Sequence, residues 1–260
     1  MDFPGPGRWF SAASATRAAT DDGVPMQLLL LSNSTAPGRA YLEHAHEALV
    51  DVLAGARRLV FVPYALADHD ACTATVARAL TPLGVDVVGS HTGDPPELVA
   101  GADAVFVGGG NTFRLTDALH RLGLLGAIRA AAADGMPYIG SSAGTNVATP
   151  SLRTTNDMPI VEPRSFETLG LVPFQINPHY LDPDPTSTHQ GETREERIVQ
   201  FLEENPGPVL GMREGTWLRL DGARLTLDGA AAGARLFTRG AAPTEIATPA
   251  DLGHLLFAQA

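Results

Sequence analysis

The chain has 260 residues, of which 44% are hydrophobic and 18% are charged, and its formal net charge is -11. This composition is typical of a globular protein with a large core, and the length favours one large domain over several small ones. The excess of acidic residues argues against a nucleic-acid partner, which would need clustered lysine and arginine. The single cysteine, Cys72, excludes an internal disulfide and a cysteine-based metal site, and it fits a cytoplasmic protein.

Residues 1–25 are rich in Gly, Pro, Ala and Ser and show no apolar periodicity. They lack the continuous apolar core of roughly 7 to 15 residues that a signal peptide has, so we predict a disordered N-terminal tail. No apolar run in the sequence approaches the roughly 18 residues that span a bilayer, and we expect no membrane partner. Residues 26–260 are predicted to form one domain.

From Met26 onward, continuous apolar runs alternate with stretches of helical periodicity. Strands are predicted at 28–31, 59–62, 85–88, 104–107 and 138–140, and helices at 41–53, 71–83, 96–100 and 113–133. This alternation predicts an α/β fold with a mostly parallel central sheet and helices on both faces. After Pro150 we predict one helix over 193–203 and a small C-terminal antiparallel hairpin around Asp221-Gly222.

Two glycine-rich turns follow predicted strands, where ligands bind in open α/β sheets. The turn GSSAG, at 140–144, matches the pattern G-x-S-x-G with Ser142 at its centre. In a nucleophile elbow, a serine at this position exposes its hydroxyl on a tight strand-to-helix turn. The pattern is common, and the alternative is a tight turn whose serine caps the following helix.

The other turn is GGGNT at 108–112, and its three glycines have no side chains that would keep an anion away from the backbone. Its N–H groups suit either a phosphate or an oxyanion. Neither the dinucleotide fingerprint nor the P-loop spacing is present, and the first strand is followed by SNST, which is not glycine-rich. We expect no cofactor and no metal.

A nucleophilic serine needs a base, and His179 is the favoured histidine. It lies in FQINPHY, on a turn after an apolar run, where functional side chains concentrate. A histidine on a surface turn is the alternative interpretation. Glu214, in GMREGTW, is a candidate carboxylate to orient the imidazole, and Asp157, in RTTNDMP, competes with it.

The chain order of these groups bears on the fold. An α/β-hydrolase presents its serine, acid and histidine in that order, so its histidine here would be His189 or His254. His254 lies in DLGHLLF, which we predict to be a helix that packs on the body of the domain. An α/β-hydrolase-type esterase is therefore ranked second.

Seven motifs, in the same order, resemble those of the aspartyl dipeptidase (peptidase E) family. They are LLLLSNST, VGGGNTFRL, YIGSSAGTN, RTTNDMPIVEP, QINPHY, GETREERI and REGTW, and the resemblance extends from about Met26 to Gly240. The family comprises serine peptidases whose fold is similar to that of class I glutamine amidotransferases. The resemblance implies a serine dipeptidase that hydrolyses Asp-X dipeptides through an acyl-enzyme. We expect a cytoplasmic monomer or homodimer, although the sequence does not decide between these two states.

The catalytic residues follow from the matching motif positions. The resemblance makes Ser142 the nucleophile, His179 the general base and Glu214 the carboxylate that orients it. Asp157 matches a family aspartate that has also been proposed as a member of the triad.

The resemblance also implies the groups that bind the substrate. Gly110 and Ala143 would supply the N–H groups of the oxyanion hole, and Arg194 would receive the side-chain carboxylate of the N-terminal aspartate. Without the resemblance, the local sequence favours a surface arginine paired with a neighbouring glutamate. Ser141 stands where family members usually have tryptophan, which affects the expected shape of the pocket wall.

Two related functions remain as alternatives. Cyanophycinase, which cleaves a β-aspartyl-arginine polymer, would share the nucleophile but needs a groove for an extended substrate, and TTNDMP and GETREER favour the dipeptidase. A glutamine amidotransferase domain, or a binding module derived from one, would carry cysteine in place of Ser142.

Overall fold

The structure is a computed structural model that describes residues 24–257 except 187 and 189. Nearly all of the predicted N-terminal tail therefore lies outside the described residues. The strands are β1 Gln27–Leu31, β2 Arg58–Val62, β3 Asp86–Gly89, β4 Ala104–Val107, β5 Tyr138–Ser141, β6 Gln175–Asn177, β7 Val209–Met212, β8 Thr216–Asp221, β9 Arg224–Gly229, β10 Ala234–Phe237, β11 Thr244–Ile246 and β12 Ala250–Asp251. The α-helices are α1 His46–Val52, α2 His69–Leu80, α3 Pro95–Ala100, α4 Thr112–Arg121, α5 Leu124–Ala133, α6 Ala143–Asn146 and α7 Arg194–Glu204.

The larger sheet has eight strands in the order β12-β9-β8-β1-β5-β4-β2-β3. The strands from β1 to β3 in this order are parallel, whereas β8, β9 and β12 are antiparallel to their neighbours. The predicted hairpin is β8 and β9, and it extends the central sheet beside β1 instead of standing apart from it. The predicted α/β class with a mostly parallel sheet is confirmed.

The run of four leucines in β1 is buried because both faces of the sheet are covered. Leu28 and Leu30 pack in one core cluster with residues of α4 and α5, and Leu29 and Leu31 pack in the other with residues of α1 and α2. Side chains alternate between the faces of a strand, so a strand with two covered faces is apolar throughout. No helix in the described part of the chain is long and apolar enough to cross a membrane.

Two features differ from the sequence predictions. The single helix predicted over 113–133 is two helices, α4 and α5, because Gly123 adopts a left-handed φ of 70° and ends the helical path between them. The strands β11-β10-β7-β6 form a second sheet, with β6 and β7 parallel, which was not predicted. β6 is only three residues long, so its sequence shows little periodicity.

Candidate active site

Ser142 lies on a tight turn between β5 and α6, at the carboxyl end of the parallel strands. Its backbone angles, φ 54° and ψ -108°, are rarely adopted by residues other than glycine. A Cβ at Gly140 would lie 2.6 Å from the carbonyl oxygen of Gly144, and one at Gly144 would collide with the carbonyl oxygen of Val107. Both glycines of the G-x-S-x-G pattern are therefore required by close backbone approach. The Ser142 side chain makes no capping hydrogen bond to α6, so the helix-cap alternative is wrong.

Buried hydrogen bonds hold this turn against the central strand. The carbonyl oxygen of Leu31 accepts from the Ser142 N–H at 3.1 Å and from the Thr145 hydroxyl at 2.6 Å. The Tyr138 hydroxyl donates to the carbonyl oxygen of Gly144 at 2.6 Å. Because a buried polar group left unpaired is costly, these bonds fix the strained backbone around Ser142.

Ser142, His179 and Glu214 form a connected chain of hydrogen bonds. His179 Nε2 lies 2.9 Å from Ser142 Oγ, and His179 Nδ1 lies 2.8 Å from Glu214 Oε1. An Nδ1–H that donates to the carboxylate leaves Nε2 free to accept the serine proton. The side chains of His179 and Glu214 are 35% and 49% exposed, so the site is open to a small ligand.

The order Ser142, His179, Glu214 along the chain differs from that of an α/β-hydrolase. Of the two histidines considered for that fold, His189 lies outside the described residues. His254 is exposed in a 3-10 helix, Gly253–Phe257, near the C-terminus. Its neighbours Leu255 and Leu256 are buried, so this segment packs on the domain as the sequence predicted.

His179 follows β6 on a turn and has a positive φ of 53°. The side-chain amide of Asn156 donates to the carbonyl oxygen of Pro178 at 2.9 Å, and Asn156 Oδ1 accepts from Asn177 at 3.0 Å. The RTTNDMP segment therefore supports the turn that carries His179, a role that the sequence motif alone does not predict.

Asp157 belongs to the RTTNDMP segment, contacts the N-terminus of α4 and makes no hydrogen bond to His179. Its Oδ2 accepts from the backbone N–H of Thr112 at 2.7 Å and from the Thr112 hydroxyl at 2.6 Å. A carboxylate at a helix N-terminus is favoured by the helix dipole and by the unpaired N–H groups there. The structure thus brings Glu214, and not Asp157, to the imidazole.

Gly110, in the glycine-rich turn after β4, and Ala143, directly after Ser142, are the residues expected to supply the N–H groups of an oxyanion hole. Among the described residues, neither the N–H of Gly110 nor that of Ala143 has a hydrogen-bond acceptor, whereas the Ser142 N–H is used by Leu31. The glycine-rich turn passes close to the nucleophile, since a Cβ at Gly109 would lie 3.2 Å from Ser142 Cβ. Unused N–H groups on turns next to a nucleophilic serine are of the kind that stabilises a developing negative charge on oxygen.

Arg194 is the first residue of α7 and follows a capping box formed by Thr193 and Glu196. Its Nη1 is buried and has no hydrogen-bond partner in the described part of the chain. Burial lowers the pKa of this guanidinium, and the nearby negative charge of Glu214 opposes that effect. Glu195 pairs with Arg235 at 2.6 Å and Glu196 serves the cap, so neither glutamate neutralises Arg194.

Ser141 is fully buried at the end of β5, and its hydroxyl has no hydrogen-bond partner among the described residues. Because it has no exposed surface, it does not line the surface of the site. No group of three or more His, Cys, Asp or Glu side chains suited to a metal ion occurs in the part of the chain that the structure describes.

The chain was compared with known proteins. A family model, Peptidase family S51, matches residues 28–228. The chain is 65% identical over 232 residues to peptidase E of Streptomyces coelicolor. The aligned region covers 89% of this chain and 95% of that protein. It is 52% identical over 233 residues to a Drosophila melanogaster protein named "Probable alpha-aspartyl dipeptidase", with 88% of this chain and 97% of the relative covered.

A solved structure has the same fold. The crystal structure of a peptidase from an acI-B1 Actinobacterium matches with a TM-score of 0.65 at 16% sequence identity, over 88% of this chain and 96% of that one. At this identity the match shows the fold alone. The sequence relatives confirm the resemblance that the seven motifs predicted, and the chain belongs to peptidase family S51.

Proposed function

We propose that the protein is a serine dipeptidase that hydrolyses Asp-X dipeptides through an acyl-enzyme on Ser142. The observation that carries this proposal is the pair of hydrogen bonds of 2.9 and 2.8 Å from Ser142 through His179 to Glu214. The names of the relatives, peptidase E and alpha-aspartyl dipeptidase, support the substrate class.

In the acylation step, Ser142 Oγ attacks the carbonyl carbon of the substrate's aspartate while His179 Nε2 takes the hydroxyl proton. Glu214 stabilises the imidazolium that results, and the N–H groups of Gly110 and Ala143 stabilise the oxyanion. His179 then gives its proton to the leaving amine of residue X. A water molecule releases aspartate by the same steps, with His179 again as the base.

Arg194 supplies the specificity for aspartate. Its buried Nη1, which has no partner among the described residues, suits a substrate carboxylate. A planar guanidinium binds a carboxylate through two parallel hydrogen bonds, which are stronger than neutral ones. An asparagine at the same position would leave the arginine charge unneutralised, so the site discriminates against Asn-X.

Residues 26–260 act as one catalytic domain in this proposal, because Ser142 follows a strand of the larger sheet whereas His179 and Glu214 follow strands of the smaller one. We also propose that the enzyme acts on small peptides in the cytoplasm, as a monomer or homodimer. The single cysteine supports that compartment.

A hydrolysis panel of Asp-X, Asn-X, Glu-X, β-Asp-X and Leu-X dipeptides tests the substrate. Wild type should cleave Asp-X, and barely touch Asn-X, which has the same shape without the charge. Arg194→Ala should lower kcat/KM for Asp-X by about 30-fold or more, because removing one partner of a poorly screened ion pair costs about 2 to 5 kcal/mol.

Arg194→Lys should recover only part of this loss, because an ammonium cannot form the two parallel bonds. Ser142→Ala should be inactive, whereas Ser141→Ala should retain most activity. Equal rates on Asp-X, Asn-X and Leu-X in wild type would refute the aspartyl specificity while leaving a serine hydrolase. Preferential cleavage of β-Asp-X would favour the cyanophycinase-like alternative.

A further inference from the structure

The SNST turn at residues 32–35 follows β1, the central strand, and none of the steps above uses it. Its first two side chains are polar and buried, with Ser32 at 0% and Asn33 at 2% relative exposure. Buried polar side chains in folded proteins are hydrogen-bonded, and their partners show what they hold in place.

Ser32 connects three segments that meet at the active site. Its N–H donates to the carbonyl oxygen of Thr216 at 2.9 Å, and its hydroxyl donates to the carbonyl oxygen of Met212, also at 2.9 Å. The same hydroxyl accepts from the backbone N–H of His179 at 2.9 Å. A hydroxyl has one hydrogen to donate, and that of Ser32 goes to Met212 in β7. The Ser32 oxygen is at the same time the acceptor that holds the His179 turn.

Asn33 holds the segment that carries Glu214. Its Oδ1 accepts from the N–H of Gly215 at 2.7 Å, which is the peptide group directly after Glu214. Its Nδ2 donates to the carbonyl oxygen of Thr35 at 2.9 Å, so the amide cannot rotate without losing both bonds. Gly215 itself has a positive φ of 83°, which places Glu214 on a tight turn between β7 and β8.

His179 and Glu214 belong to no strand or helix, yet they must align with each other to within a fraction of an ångström. We infer that Ser32 and Asn33 are positioning residues that hold the general base and its carboxylate at their working distances. This inference rests on the proposed function, because it assigns Ser32 and Asn33 a role in the serine mechanism. Neither residue touches the substrate in this scheme, and both act through backbone groups of the catalytic turns.

Kinetics separate positioning from a merely structural role. Ser32→Ala and Asn33→Ala should lower kcat on Asp-X by about 10- to 100-fold, because small misplacements of catalytic groups cost rates of this size. KM should stay within about threefold of wild type, since neither substitution touches Arg194.

Ser90→Ala is the matched control for removing a buried serine hydroxyl. Ser90 is also fully buried after a strand of the same sheet, but its hydroxyl has no hydrogen-bond partner among the described residues. We expect its kcat to equal that of wild type. Thermal melts of every variant ensure that rates are compared where each protein is folded.

Proton NMR gives a second readout. The hydrogen between His179 Nδ1 and Glu214 should give a low-field signal, identified by its loss in His179→Ala. This signal should shift or broaden in Ser32→Ala and stay in place in Ser90→Ala. If Ser32→Ala fails to fold, the comparison of Asn33→Ala with Ser90→Ala decides by the same two measurements.

Wild-type kcat and an unchanged low-field signal in folded Ser32→Ala and Asn33→Ala would overturn the inference. The proposed function would survive that result as long as Ser142→Ala is inactive. Full activity in Ser142→Ala would instead refute the proposed function itself.

Discussion

Glu214→Gln and Asp157→Asn together test which carboxylate serves the catalytic histidine. Glu214 Oε1 lies 2.8 Å from His179 Nδ1, so its amide replacement removes the charge that stabilises the imidazolium and permits the wrong tautomer. Both side chains are partly open to water, which stabilises the imidazolium in place of the lost charge. We therefore expect kcat to fall by about 10²- to 10³-fold, equivalent to about 2.7 to 4 kcal/mol in the activation barrier.

Asp157→Asn should behave differently, because Asp157 Oδ2 is bonded to the N–H and hydroxyl of Thr112. The substitution removes a favourable interaction with the α4 dipole, worth about 0.3 to 1 kcal/mol, and weakens two charge-assisted hydrogen bonds. The melting temperature should fall by a few degrees, and any kinetic effect should appear mainly in KM. Steady-state rates on one Asp-X dipeptide, measured beside thermal melts, give both quantities. A larger loss of kcat in Asp157→Asn than in Glu214→Gln would refute the assignment of the acid.

The packing and the charges lead to two further predictions, one on the backbone at Gly144 and one on the Asp182–Arg213 pair. Gly144→Ala should abolish hydrolysis and lower the free energy of unfolding measured in urea, because the new Cβ would collide with Val107. The control is Gly126→Ala, whose Cβ would have nothing within 4 Å. It should keep full activity and raise the free energy of unfolding by up to about 1 kcal/mol. A hydrogen bond from Arg213 holds the pKa of Asp182 below its usual value. That pair stabilises the fold above the unfolded-state pKa of about 3.9 and stops doing so as the pH falls through the lower folded-state value. The melting temperature of wild type should therefore exceed that of Asp182→Asn at pH 7, and the difference should shrink below about pH 4; a constant difference would contradict this account.

Most of the central sheet was predictable because local composition determines it. The apolar run in β1 indicates a strand with two covered faces. The glycines at 140 and 144 indicate a tight strand-to-helix connection. The break at Gly123 was missed because one glycine within a long alanine-rich stretch costs too little for the sequence alone to locate a helix end there.

The second sheet and the arrangement of the site depend on contacts between distant parts of the chain. His179 and Glu214 are 35 residues apart, and they meet only because β6 pairs with β7. The choice between Glu214 and Asp157 could not be made from local sequence, since both lie on polar turns. The family resemblance named the residues, but their hydrogen-bond partners, such as Ser32 for His179, are brought to them only by the tertiary fold.

The positive φ angles of Ser142 and His179 have a consequence for how this enzyme evolves. Each such conformation costs a residue other than glycine about 1 to 3 kcal/mol, and glycine adopts it with little strain. Selection for thermal robustness alone would therefore favour glycine at both positions, and selection for turnover opposes it. The active protein is therefore less stable than the same fold could be. A descendant that no longer needs the reaction can replace these residues with glycine, and the added stability lets it tolerate more mutations elsewhere.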